Sequence, residues 1–218
     1  MRELFRANLS RLGKDLTTIA ELVHRAADDA RAALETADVH RAEQVISEDA
    51  RIDHLQEQLD EQAIQLLALQ APVASDLRTV VATLRMSTSL ERMGDLARHI
   101  AQLTRLRYPE LVIPESVRPT FAAMADDTVD AAAQMALLLE TQDLGHADAI
   151  AELNERINGH HVSVFRAIAA PTWNETAATT TDVTLASRYL ERFTDHAVSV
   201  AGKMRYLVTG RWPSHQDT

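Results

Sequence analysis

Leu90-Glu91-Arg92-Met93-Gly94-Asp95 and Leu190-Glu191-Arg192-Phe193-Thr194-Asp195 are one phrase, Leu-Glu-Arg-x-x-Asp, written twice at an offset of 100 residues. A second phrase, Leu-Glu-Thr-x-Asp, recurs in the same order. It spans Leu34 to Asp38 and Leu139 to Asp143, at an offset of 105. Aligning residues 81–105 with 181–205 gives eight identities, where average residue usage gives roughly two. The chain is an internal duplication. The offset shrinks between the two phrases, so the second copy is five residues shorter near the junction marked by Pro72 and Pro171.

Outward from these phrases the apolar residues keep a helical period. Leu9, Leu12, Leu16, Ile19, Val23 and Ala26 step by threes and fours, as do Val45, Ile52, Leu55, Leu59, Ala63 and Leu66. In the third segment Leu77, Val81 and Leu84 form one stripe, continued by Thr88, Glu91 and Asp95. Met86, Leu90, Met93, Ala97 and Ile100 form another. No segment alternates with period two for long enough to suggest a strand. Breaks fall at Thr36-Ala37-Asp38, with Asp38 a candidate N-cap, and at Gln70-Ala71-Pro72, with Pro72 suited to a first helical turn. Thr141-Gln142-Asp143 and Ala170-Pro171-Thr172-Trp173-Asn174 mirror them, and Tyr108-Pro109 through Pro114 separates the copies.

The expected fold is all-α. Six long helices near 2–35, 39–69, 73–106, 115–140, 144–169 and 177–209 form two three-helix pseudo-repeats in an elongated antiparallel bundle. The expected units are 1–108 and 109–210, with a disordered tail at 211–218. A three-helix unit leaves an apolar face open, and pairing two units buries it.

Composition narrows the function. The 218 residues carry 22 Lys and Arg against 32 Asp and Glu, a net charge of −10. That balance repels a phosphate backbone, and no basic cluster offsets it, so no nucleic-acid partner is expected. Cysteine is absent, which removes thiolate metal sites and cysteine catalysis. No secretory signal opens the chain, and no apolar stretch approaches the roughly 20 residues that span a bilayer. A cytoplasmic protein without membrane insertion is expected.

Glu91 and Asp95 lie four residues apart, so they share one helix face. A carboxylate pair on a partly buried stripe needs a compensating arginine or cation. Glu191 and Asp195 repeat the pair, and Asp49 and Asp53 add another on the second helix. Antiparallel packing of helices two and three would bring four carboxylates together in the first copy. Oxygen-only donors suit hard or intermediate cations such as magnesium, manganese or iron. His99, one turn beyond Asp95, is a candidate nitrogen ligand. In the second copy Asp49 maps to Asn154 and Asp53 to Asn158, so weaker binding, or none, is expected there. Arg85, Arg92, Arg98 and Arg192 offer the alternative, in which the acids form only salt bridges in a metal-free scaffold. Adjacent His160 and His161 read as solvated, and Trp173 and Trp212 as packing anchors. Glu21-Leu22-Val23-His24 matches one half of the paired Glu-x-x-His of ferritin-like oxidases. No second match exists, and no nucleophile elbow or phosphate loop is present, so no enzyme is expected.

Taken together, these phrases resemble the PhoU family. Beyond the two Leu-Glu-Arg-x-x-Asp copies, Asp49-Ala50-Arg51-Ile52-Asp53 is similar to that family's Asp-x-x-Ile-Asp. Gln70 to Arg78 is similar to its Gln-x-Pro-x-Ala-x-Asp-Leu-Arg junction. Asp195-His196-Ala197 and the Tyr206-to-Gly210 ending match as well. The resemblance implies a cytoplasmic negative regulator of the phosphate-starvation response and of phosphate uptake. It implies an adaptor between the ATPase subunit of a phosphate ABC transporter and a sensor histidine kinase, with a homodimer an open option. It also implies iron, zinc or other cations on Glu91, Asp95, Glu191 and Asp195, with Asp49 and Asp53 following.

Overall fold

A computed structural model describes the backbone of residues 2–70 and 75–211, and the side chains of 6–69 and 75–211. The expectations at Pro72, at helix residues 73 and 74, at Trp212 and over tail residues 212–218 lie outside the described residues. Six helices follow in order: α1 Arg2–Thr36, α2 Val39–Gln70, α3 Ser75–Arg107, α4 Arg118–Thr141, α5 Leu144–Ala169 and α6 Ala177–Thr209. The longest has 35 residues, a rod of about 50 Å. The all-α bundle expected from the repeat is what forms.

The duplication is written into the turns. Ala37 and Gln142, at the 105-residue offset, both adopt the left-handed region, with φ of 53° and 58°. Each is followed by an aspartate that caps the next helix. Asp38 Oδ1 accepts from the Arg41 amide at 3.0 Å, and Asp143 Oδ1 accepts from the Gly145 amide at 2.9 Å. These caps satisfy first-turn amides that have no partner within the helix. The amide bonds also hold the Asp38 carboxyl below its ordinary range.

Four helices make the centre. α1 packs on α3 and α4, and α6 packs on the same two, while α2 lies across α1 and α3, and α5 across α4 and α6. α3 and α6 run antiparallel. Arg107 at the end of α3 pairs with Asp182 near the start of α6, and Arg78 near the start of α3 stacks on Tyr206 near the end of α6. The buried stripes of these two helices are the same stripe in each copy. Leu90, Met93, Ala97, Ile100 and Ala101 are buried on α3, and Leu190, Phe193, Ala197, Val200 and Ala201 on α6.

One expectation is refined and another corrected. The stripe Leu77, Val81, Leu84 is partly buried, as expected: Leu84 packs against the core, whereas Leu77 and Val81 are 41% and 37% exposed. α3 instead buries Val80, Thr83, Met86 and Ser87. Facing three helices, it buries a wide arc, and its hydroxyls enter that arc because Ser87 can return its proton to the Leu84 carbonyl, 2.8 Å away. The fourth helix begins at Arg118 rather than 115. Pro119 occupies its first turn, and the preceding residues close turns from Val117 to Pro114 and from Arg118 to Glu115. That link is packed rather than loose, since Val112, Ile113 and Val117 are buried. Trp173 is a packing anchor as expected, lying against the core with its indole donating to Thr180 Oγ1 at 2.9 Å.

Glycines separate helix propensity from packing. A Cβ at Gly94 would sit 3.0 Å from Ile52 Cδ1 and 3.3 Å from both Ile52 Cγ2 and Asp49 Oδ1, whereas nothing lies within 4 Å at Gly13 or Gly159. Gly13→Ala and Gly159→Ala should each stabilise by about 0.5–1 kcal/mol. Gly94→Ala should lose that gain to overpacking and come out destabilising by about 1–2 kcal/mol. Urea unfolding of the three variants checks the sign of each.

Candidate functional site

The close approach at Gly94 lets α2 and α3 bring their acids together. Asp49 and Ile52 of α2 stand against Gly94 of α3, so Asp49 is nearly covered, its side chain 8% exposed. Asp95 and Glu91, from the same face of α3, are 17% and 20% exposed. Asp53, one turn along α2 from Asp49, is half-buried. Asp49, Asp53 and Glu91 each feel the field of Asp95. The antiparallel pairing expected from the sequence therefore assembles Asp49, Asp53, Glu91 and Asp95.

Arginine supplies the positive charge. Arg98 bridges Asp49 and Asp95 with its guanidinium. Arg92 lies 2.9 Å from Asp95 and 3.4 Å from Glu91. Desolvation pushes the carboxyls of Asp49, Asp53 and Glu91 above their ordinary values, and repulsion among the acids adds to it. Asp95 is also pushed up by desolvation, but the Arg98 hydrogen bond and the charges of Arg98 and Arg92 outweigh this and leave it lowered. Among the described residues, Arg98 is the one ion-paired with acids of both helices. One oxygen remains unanswered: Asp49 Oδ1 is buried without a hydrogen-bond partner. With Arg98 between the acids, no group of three or more His, Asp or Glu side chains among the described residues is arranged to hold a metal ion in this placement.

Glu191 and Asp195 lie apart from this cluster, on α6. Glu191 pairs with Arg188, and Asp195 is exposed. Val198 stands where the first copy has Arg98, and Asn154 stands where it has Asp49. The second copy has lost both members of the bridging ion pair together. Asn154 still keeps a buried, unpartnered Oδ1, as Asp49 does. The same position of both copies thus carries a buried acceptor with no hydrogen-bond partner among the described residues, which is costly where nothing else answers it.

Other residues are placed as follows. His99 turns toward α6, its ring 5.2 Å from that of Tyr189. Burial, helped by Arg98, pushes its imidazole down, and its Nδ1 is buried without a partner. Glu21 is exposed on α1, whereas a ferritin-like ligand must point inward. The reading of His160 and His161 as solvated is corrected. His161 Nδ1 is hydrogen-bonded to Ser187 Oγ at 2.7 Å, and His160 approaches Asp127, which Arg156 also pairs.

Sequence reasoning missed this fastening. Ser87 Oγ lies 3.0 Å from Asp60 Oδ1 and shares its one proton between that carboxylate and the Leu84 carbonyl. Ser87 and Ser187, both fully buried, thus tie the third helix of each copy to the second. Their identity in the repeat alignment was the available signal.

The comparisons bear on the family and the fold. The family model described as PhoU domain matches twice, over residues 16–104 and 121–204. The chain is 38% identical over 213 residues to the phosphate-specific transport system accessory protein PhoU homolog 2 of Mycobacterium tuberculosis, covering 98% of this chain and 100% of that one. To PhoU homolog 1 of Mycobacterium leprae it is 36% identical, covering 98% and 96%. The crystal structure of the phosphate transport system regulatory protein PhoU from Streptococcus pneumoniae superposes with a TM-score of 0.84 at 26% identity, covering 96% of this chain and 99% of that one. For PhoU from Pseudomonas aeruginosa the score is 0.74, also at 26% identity, covering 95% and 100%. Full-length likeness to these proteins, in a chain that repeats the family's domain, means that it belongs to the PhoU family.

Proposed function

We propose that this protein is an accessory and regulatory protein of a phosphate transport system. In this reading it is a cytoplasmic adaptor that joins the ATPase subunit of a phosphate ABC transporter to a sensor histidine kinase and holds phosphate-starvation signalling down. One observation carries the reading: end-to-end likeness to proteins named phosphate-specific transport system accessory proteins. The chemistry of the chain agrees with an adaptor. No helix among the described residues is long and apolar enough to cross a membrane, and helices of 24 to 35 residues expose long faces to partners.

The first-copy acids carry a second proposal. Asp49, Asp53, Glu91 and Asp95 would hold a hard or intermediate cation such as magnesium, manganese, iron or zinc. Glu191 and Asp195, with Asn154, would hold another more weakly. Bound there, a cation supplies positive charge to desolvated carboxylates. Arg98 competes for the same acids, because its guanidinium already neutralises two of them. The ion pairs of Arg92 and Arg98 also favour a second reading, in which these acids only brace α2 against α3.

Three measurements test these readings. Calorimetric titration of the purified protein with the transporter ATPase subunit should show saturable binding. Absence of binding to both the ATPase and the kinase sinks the adaptor reading. Elemental analysis after metal loading and desalting should find at least about ten-fold less metal in Glu91→Gln/Asp95→Asn than in the wild type. Arg98→Ala should bind more than the wild type. Equal, negligible metal in all three proteins leaves the bracing role alone.

The pH dependence of the metal-free protein has a defined sign. Carboxyls raised in the folded state bind protons more readily there, so Asp49, Asp53 and Glu91 should make the protein more stable as pH falls from about 7 toward their raised values. The lowered Asp95 works oppositely, and its contribution is lost once pH falls through its depressed value. Asp53→Asn should flatten the rise in thermal midpoint between about pH 7 and pH 5, as followed by circular dichroism.

A further inference from the structure

Leu77 and Val81, one turn apart on α3, are exposed apolar residues that the core leaves out. They line an open groove of about 420 Å³ between the first half of α3 and the last turns of α6. Arg78, Arg85 and Lys203 also line it, and Tyr206 closes one side. No described residue lining it is acidic, in a chain of net charge −10.

Among the described residues, none of Arg78, Arg85 and Lys203 is in an ion pair. Lys203 is half-buried, and among the described residues its Nζ bonds to the carbonyl and hydroxyl of Ser199. Burial, then the charge of Arg85, pushes Lys203 below its ordinary range. The Arg78 guanidinium sits 5.1 Å from the centre of the Tyr206 ring, an attraction that does not remove its charge.

The duplication provides an internal control. At the related end of the α3–α6 pair, Ala178 replaces Arg78, Leu185 replaces Arg85 and Leu103 replaces Lys203. The ion pair there, Arg107 with Asp182, closes on itself. The scaffold can therefore close this corner without free cations.

We propose that the groove between α3 and α6 docks an acidic, amphipathic helical segment of a partner protein. Its apolar side chains would cover Leu77 and Val81, and its carboxylates would meet Arg78, Arg85 and Lys203. Helix-in-groove recognition needs this combination of apolar wall and charged rim. A small anion would answer the cations and leave the apolar wall wet. An anionic membrane would be repelled by the rest of the surface. The inference extends the adaptor reading to a particular surface. Its test uses neither transporter nor kinase, so either idea can fail without the other.

The probe is a fluorescein-labelled helical peptide of about 15–20 residues, with leucines at i, i+3, i+4 and i+7 flanked by glutamates. The full chain should bind it saturably, and less tightly at high salt. Arg85→Glu/Lys203→Glu and Val81→Glu should each weaken binding at least about ten-fold, with circular dichroism unchanged. Lys14→Glu, outside the groove, should have no effect, and a peptide with lysine for glutamate should not bind. The proposal is overturned by absence of saturable binding, or by binding indifferent to both groove variants. It is also overturned if those variants abolish binding of inorganic phosphate or anionic vesicles but leave peptide binding intact.

Discussion

Burial of α3 against α6 is the contact on which the rest depends. These two helices carry the apolar stripe that neither copy can cover alone, and each covers it with its counterpart. Leu90, Met93 and Ala97 are buried on α3 and their equivalents at an offset of 100 residues are buried on α6, and the two helices pack together. Hydrophobic burial of this kind is the dominant favourable term in folding. It also decides what stays outside. Because α3 commits Thr83 and Ser87 to the shared interior, Leu77 and Val81 are turned out along its first turns. The carboxylate face containing Glu91 and Asp95 is turned toward α2.

That second consequence sets the electrostatics. Acids on a helix face pressed against another acidic helix are partly cut off from water, and burial penalises their charge. The first copy answers with Arg98 and Arg92. The second copy drops the bridging arginine and the aspartate it would bridge, so the charge balance is kept while the chemistry differs. An isolated buried charge would be far more costly than either arrangement, which is why the two changes belong together. The duplicated frame thus holds two carboxylate faces of unequal charge density.

Much of the fold was legible because its signals are local. Helical periodicity, two aspartate caps and two repeated phrases are all properties of short windows, and they gave six helices close to their observed positions. On α3 the stripe of Met86, Leu90, Met93, Ala97 and Ile100 was legible and is buried, whereas the width of the buried arc was not, because it depends on how many helices pack around α3. The start of α4 was misplaced because Pro119, two residues into the helix, was not weighed. At the site, the meeting of Asp49 and Asp53 with Glu91 and Asp95 followed from spacing and antiparallel packing. The bridge made by Arg98 did not, since it depends on how far one flexible side chain reaches between two helices. His161 was misread because its partner, Ser187, is 26 residues away on another helix.

The antiparallel α3–α6 pair has a consequence for how the chain comes together. Contacts within each copy join neighbours in sequence and close short loops, which form early and fast. The α3–α6 contact joins residues such as Arg107 and Asp182, 75 positions apart, and must wait. Until it forms, each half shows water the surface that will become the centre of the molecule. Since the two halves present nearly the same surface in opposite directions, a lone half has in a second copy of itself the nearest substitute for its missing companion. Self-recognition between like halves is thus the association that competes with correct folding during synthesis.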